Sequence, residues 1–261
     1  MASNKDSIAN TFIVATLLCL ICATVVSAAA VGLRSMQQAN KLKDQKKNIL
    51  AAAGLMENDP DVLELFDSRI IDRVIDLDTG EDVTDEIEEE FQGVANFDPI
   101  DYAESNNDEH SDKLENDPAT IKRREKRAHV YIVKTSATDD TPLMYVFPIR
   151  GKGLWSILKG FIALDSDLNT IRGITYYSHA ETPGLGGEVD NPEWKSHWTM
   201  DKRLFDENGK VAMRMVKTEW KDNPNTVDAL SGATITCRGV EKMLDFWMGD
   251  SGFGPYLETL K

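Results

Sequence analysis

Apolar and polar positions follow three different rhythms along the chain. From Ser7 to Leu33 there is no charged residue, and the apolar run from Thr11 to Leu33 is unbroken enough to form one continuous helix. Twenty-three residues as a helix span about 35 Å, against a bilayer hydrocarbon core of about 30 Å, so a transmembrane helix is predicted over 11–33. A cleaved signal peptide is the alternative, because Val26-Ser27-Ala28 has the small residues of a cleavage site. The run exceeds the roughly 7–15 residues of a signal's apolar region, which favours the anchor. Residues 34–55 read as a polar helix continuing from it, with Leu42, Ile49, Leu50 and Ala53 on one side and a stop at Gly54. From there to about Ala128, short apolar patches such as Val62 to Phe66 and Ile70 to Ile75 alternate with acidic runs such as Glu86 to Glu90. Helices and a strand or two are expected here, around a poorly ordered stretch from Asn96 to Asp117 whose composition is too polar to bury a core.

After Arg127 the rhythm becomes that of strands. Residues 129–133, 143–149, 160–164 and 171–177 are short, β-branched and aromatic, with Leu168-Asn169-Thr170 in a hairpin turn between the last two. Near the end, Val240, Met243, Leu244 and Trp247 recur at the spacing of one helix face. The fold class is therefore α+β: a single N-terminal transmembrane helix followed by a soluble domain with an antiparallel sheet and packed helices. The segments are a tail (1–10), the membrane helix (11–33), a juxtamembrane helix with an acidic region (34–128) and the sheet-rich domain (129–261).

Charge sharpens this division. The chain of 261 residues carries a formal net charge of −15, which argues against a nucleic-acid partner. Residues 57–128 hold 24 Asp and Glu against 8 Lys and Arg, so this block carries the whole excess. Lys5 is the only basic side chain before the apolar run, whereas Arg34, Lys41, Lys43, Lys46 and Lys47 follow it. By the positive-inside rule the C-terminal domain would stay in the cytoplasm. Cys19 and Cys22 lie one turn apart in the membrane helix and Cys237 stands alone, so there is neither a disulfide framework nor a metal-type cluster.

Two stretches carry candidate chemistry. Asp228-Ala229-Leu230-Ser231-Gly232-Ala233-Thr234-Ile235-Thr236 packs small and hydroxylated residues just ahead of the last amphipathic segment. Ser231 to Thr234 would sit at a helix N-terminus, where unpaired N–H groups and the helix dipole favour an anion, and Gly232 and Ala233 leave room for a phosphate. The plainer alternative makes Ser231 or Thr234 an N-cap residue only. His179-Ala180-Glu181-Thr182-Pro183-Gly184-Leu185-Gly186-Gly187 follows directly after a strand, and Pro183-Gly184 is a type II turn signal. His179 and Glu181 would share a face as a metal pair, but no third ligand is in view. A turn presenting Thr182 and Leu185 to a bound ring, one polar and one apolar contact, fits a cofactor pocket better. The Gly151-Lys152-Gly153-Leu154-Trp155 turn carries glycines that would either sit under a ligand or simply form the turn.

These two stretches, in this order, resemble the paired motifs of the covalent FMN-binding domain. With Gly151-Lys152-Gly153-Leu154-Trp155-Ser156, the N-terminal span and the length, the whole chain resembles the C-subunit family of the bacterial sodium-translocating NADH:quinone oxidoreductases. The resemblance implies that a flavin transferase links FMN through its phosphate to Thr234. It implies Ser231, Gly232 and Ala233 around the phosphate, Trp155, Thr182 and Leu185 along the ring, and no catalytic nucleophile or metal. The FMN would relay electrons between other redox centres of the complex on the path from NADH to ubiquinone, with the other subunits and the membrane as partners. It further implies a bacterial inner-membrane protein with a periplasmic soluble domain, against the lysine count. Two alternatives stand beside it: the G subunit of the related ion-translocating ferredoxin:NAD oxidoreductase, and a membrane-tethered sensor that binds an anion reversibly.

Overall fold

The computed structural model describes residues 8–56 and 61–261, and the chain divides into two compact units, Met1–Asp44 and Gln45–Lys261. Most of the expected tail, including Lys5, lies outside the described residues. Helix α1 (Ile8–Ala52) runs without a break through the predicted span; its most apolar stretch has a mean hydropathy of 2.5 and is wholly exposed, so it is long and apolar enough to cross a membrane. Of the residues expected on one side of its polar part, Leu42 is exposed, while Ile49, Leu50 and Ala53 are buried in the second unit. The stop at Gly54 is as expected: its φ of +69° ends the helix, and Leu55 N donates back to Leu50 O at 2.8 Å.

Helix α2 (Val62–Arg69) starts where the Asp61 carboxylate accepts the N–H groups of Leu63 and Glu64. Strand β1 (Ile70–Asp76) follows directly, then α3 (Thr84–Phe91), α4 (Pro99–Glu104) and a hairpin of β2 (Ser111–Lys113) with β3 (Arg123–Glu125). The expectation of a poorly ordered stretch from Asn96 to Asp117 is corrected here. Phe97, Ala103 and Ser111 are buried, and Phe97 packs among Phe91, Tyr102, His110 and His129. Local side chains hold its turns: Asn107 Oδ1 accepts the N–H groups of Glu109 and His110, and the Asp117 carboxylate those of Ile121 and Lys122. Average composition missed a small aromatic cluster whose members are spread over several short elements.

The four predicted strands are present as β4 (Arg127–Ser136), β5 (Asp139–Lys152), β6 (Ile157–Asp165) and β7 (Ile171–Ser178). With β1 they form an antiparallel sheet of order β1-β4-β5-β6-β7, so the edge strand comes from the acidic block. The turn between β6 and β7 is the expected hairpin, with Leu168 at φ +58°. Strict alternation gives the sheet two buried faces. Tyr131, Val133, Met144, Val146, Phe161 and Ala163 pack under the end of α1 and under α2. Gly173 lets the α1 terminus touch the sheet, because a Cβ there would run into the carbonyl oxygen of Ala52. The opposite face, with Tyr145, Phe147, Ile149, Ile162 and Leu164, holds the larger core.

That core is completed by the C-terminal elements: α5 (Pro192–His197), the short parallel pair β8 (Arg214–Val216) and β9 (Thr226–Asp228), α6 (Thr234–Trp247) and α7 (Gly254–Thr259). Val240, Met243, Leu244 and Trp247 all face inward, as their spacing predicts. Helix α6 meets the end of β5 closely: Gly239 packs where any Cβ would overlap the Lys152 carbonyl, and Trp247 Nε1 donates to Arg150 O at 2.7 Å. This contact brings the N-terminus of α6 to the same end of the sheet as the β5–β6 turn.

Candidate functional site

Three loops meet there. The first is the β5–β6 turn, closed by Gly153 N donating to Ser156 O at 2.9 Å, with Leu154 and Trp155 pointing outward and Trp155 65% exposed. The second follows β7. Leu185 N donates to Thr182 O at 3.1 Å and Gly184 has φ +77°, which is the type II turn that Pro183-Gly184 predicts. Thr182 and Leu185 are both exposed.

The third loop is Ser231 to Thr236. Gly232 adopts φ +73°, and a Cβ built on it would lie 2.9 Å from Leu185 Cδ2, so the two sequence motifs touch. Helix α6 begins at Thr234 with Ala233 as its N-cap and no side-chain cap bond. Neither Ser231 nor Thr234 therefore acts as the capping side chain. The N–H groups of the first turn, which no intrahelical carbonyl can reach, stay available to an anion. The hydroxyls of this segment are treated differently: Ser231 and Thr234 are exposed, whereas Thr236 is 1% exposed and donates to Glu181 Oε2 at 2.7 Å.

Glu181 is the residue whose role sequence reasoning missed. The His179 Nε2 atom lies 2.7 Å from Asp190 Oδ2, its Nδ1 accepts the Glu181 N–H at 3.2 Å, and the Glu181 carboxylate turns inward, 5% exposed. Oε1 accepts the N–H groups of Trp155 and Ser156 at 2.9 and 3.1 Å, and Oε2 accepts that of Leu154 at 3.0 Å besides the Thr236 hydroxyl. Burial alone would raise its pKa, but these donors outweigh burial and hold it below the usual carboxylate range. No local signal marked it, because the donors to its carboxylate come from the β5–β6 turn and from α6. Leu154 and Ile235, neither singled out from the sequence, extend the exposed apolar surface around Trp155 and Leu185. Asp228 ends β9, and its carbonyl accepts from Trp194 Nε1 at 2.8 Å, which steadies the approach to Ser231. Cys237, one turn into α6, is buried, and burial raises its thiol pKa.

Comparison with known proteins agrees with this geometry. The signature of the FMN-binding domain family matches residues 153–249, which include all three loops. The chain is 42% identical to the C subunit of the Na(+)-translocating NADH-quinone reductase of Yersinia pestis, over 99% of this chain and 95% of that one. It is 44% identical to the protein of the same name from Vibrio parahaemolyticus, over 100% and 98%. Among solved structures, the crystal structure of Shewanella oneidensis NqrC superposes with a TM-score of 0.76 at 36% identity, covering 85% of this chain and 98% of that one. With near-complete coverage in both directions, the chain belongs to the C-subunit family of Na(+)-translocating NADH-quinone reductases.

Proposed function

We propose that this chain is the flavoprotein subunit of a sodium-translocating NADH:quinone oxidoreductase and carries FMN as a phosphoester on Thr234. The observation that carries the reading is the state of Thr234, an exposed hydroxyl on the first residue of a 14-residue helix whose N-terminus no side chain caps. A phosphate esterified there meets the free N–H groups of the first turn and the positive end of the helix dipole. Ser231 lies three residues outside the helix, and Thr236 is occupied by Glu181. Gly232 and Ala233 add no bulk at the phosphate, and the exposed side chains of Trp155, Thr182 and Leu185 suit the edge and face of a flat ring. The residues fit the group.

Bound FMN supplies a centre that exchanges electrons singly or in pairs. The chain's own part is to hold and orient: the helix N-terminus fixes the phosphate, and the two turns fix the ring. Thr234 Oγ1 would act once, during maturation, when a flavin transferase moves the FMN phosphoryl group to it from a flavin dinucleotide: the hydroxyl gives up its proton, the oxygen–phosphorus bond forms, and the donor's pyrophosphate bond breaks as the nucleoside monophosphate leaves. Thereafter the protein relays electrons between the redox centres of its partners in the complex. Helix α1 anchors it in the bacterial inner membrane, with the soluble domain in the periplasm. Relatives that bear the C-subunit name and match over nearly the full length favour this complex over the related ferredoxin-dependent one.

Peptide mass spectrometry of the chain matured in its native host tests the reading. One FMN phosphoester is expected on the peptide containing Thr234, and Thr234→Ala abolishes it. Flavin on Ser231 or Thr236 refutes the assignment. A denaturing gel with no flavin fluorescence in the wild-type band favours the reversible anion sensor instead.

A further inference from the structure

Glu181 is the only side chain among the described residues whose hydrogen bonds reach both of the other loops from the turn that bears Thr182 and Leu185. Its carboxylate takes three consecutive backbone N–H groups of the loop that carries Trp155, and one hydroxyl two residues beyond Thr234. Space around it is closed: a Cβ on Gly186 would come 2.6 Å from Thr236 Oγ1 and 2.8 Å from Glu181 Oε2, and a Cβ on Gly153 would overlap Leu158 Cδ1 and come 2.7 Å from Glu181 Oε1, so a side chain at either glycine would crowd this junction. A buried ion is costly unless its lone pairs are filled, and here the three N–H groups and the Thr236 hydroxyl fill them, with the Ser156 hydroxyl a longer fifth donor at 3.5 Å. These donors hold one negative charge between the three loops.

We propose that Glu181 is the positioning residue of the flavin site: it clamps the three loops into one cradle and places a fixed negative charge beside it. The proposal rests on the reading of this site as the FMN site. Its clamping part requires that loss of the carboxylate free the amides of Leu154, Trp155 and Ser156 and release Thr236. Its electrostatic part follows from Coulomb's law in a dry setting: a buried anion opposes the gain of electrons by a nearby group, so removing it makes reduction easier.

The test uses the full-length chain in two forms, before and after maturation by a flavin transferase, as wild type and as Glu181→Ala, Glu181→Gln and Thr236→Val. In the flavin-free chain, hydrogen exchange at residues 154–156 is expected to accelerate at least tenfold in Glu181→Ala, and unchanged exchange overturns the clamp whatever the ligand. In the matured chain, Glu181→Gln is expected to raise the flavin's midpoint potential and weaken its visible circular dichroism, with Thr236→Val weakening the dichroism less. Potential and dichroism equal to wild type in Glu181→Gln overturn the proposal while leaving the flavin reading intact. A wild-type chain that takes up no flavin overturns the flavin reading, and the exchange result alone then judges the clamp. Should Glu181→Ala fail to fold, Glu181→Gln, which keeps the volume and one acceptor, decides both parts.

Discussion

Gly232 has two independent reasons to lack a side chain. Its φ of +73° lies in the left-handed region, which costs an L-residue with a Cβ about 1–2 kcal/mol, and the space a Cβ would take is filled by Leu185. Gly232→Ala should therefore lower the unfolding temperature by a few degrees, since about 1 kcal/mol shifts a domain of this size by roughly 2–4 °C. It should also push Leu185 outward, which the flavin's absorption in the matured chain would register. Gly232→Asn is expected to lose less stability, because Asn tolerates positive φ. Equal losses from Ala and Asn would show that crowding by Leu185, and not backbone conformation, governs the position. Thr236 and Thr234 make the complementary point. They are the same residue type two positions apart, and the turn of the helix between them directs one hydroxyl outward and the other to Glu181.

At the scale of elements, His129 links β4 to β1 and to the acidic lobe. Its ring nitrogens lie 2.8 Å from Asp72 Oδ1 and 2.9 Å from Phe97 O, and both partners are acceptors, so the ring satisfies them only when both nitrogens are protonated. Burial pushes its pKa down, but the charge and hydrogen bond of Asp72, the Phe97 carbonyl and the more distant Asp98 outweigh that and raise it. A pKa raised on folding stabilises the fold fully below the unfolded value of about 6.5 and loses that contribution as pH climbs through the folded value. His129→Gln should therefore cost about 1.5–3 kcal/mol at pH 6, the range for a hydrogen bond to a charged group, and progressively less toward pH 9. Chemical denaturation of both proteins across that range is the measurement, and a cost that grows with pH would contradict the charged-imidazole reading.

For the whole molecule, the question is which side of the membrane the domain occupies. Lys5 stands against five basic residues just after the span, a bias that would keep the C-terminus inside, yet large domains are translocated largely regardless of flanking charge. On the periplasmic proposal, alkaline phosphatase fused after Lys261 should be active, because it needs an oxidising compartment to form its disulfides. Green fluorescent protein at the same position, exported unfolded by the general secretory route, should be dark. The reverse pair of results would put the domain in the cytoplasm and the lysine count in the right.

The elements with strong periodicity were legible in the sequence. The apolar run, the four central strands, the α6 face and the Pro183-Gly184 turn each depend on interactions within a few residues, or on one buried stripe, and these leave a local trace. The two motifs mark the candidate site for the same reason, since glycines and hydroxyls at fixed offsets report on backbone shape. What tertiary structure alone decided is long-range. Ile70 to Asp76 became an edge strand because β4, some 57 residues on, offered an unpaired edge. The acidic block ordered because Phe91, Phe97, Tyr102 and His110 found one another across loops. Glu181 gained its role when the β5–β6 turn, 25–27 residues earlier, supplied three N–H groups to its carboxylate. A carboxylate's partners are chosen by the fold that surrounds it, and no local pattern encodes a donor that arrives from another strand.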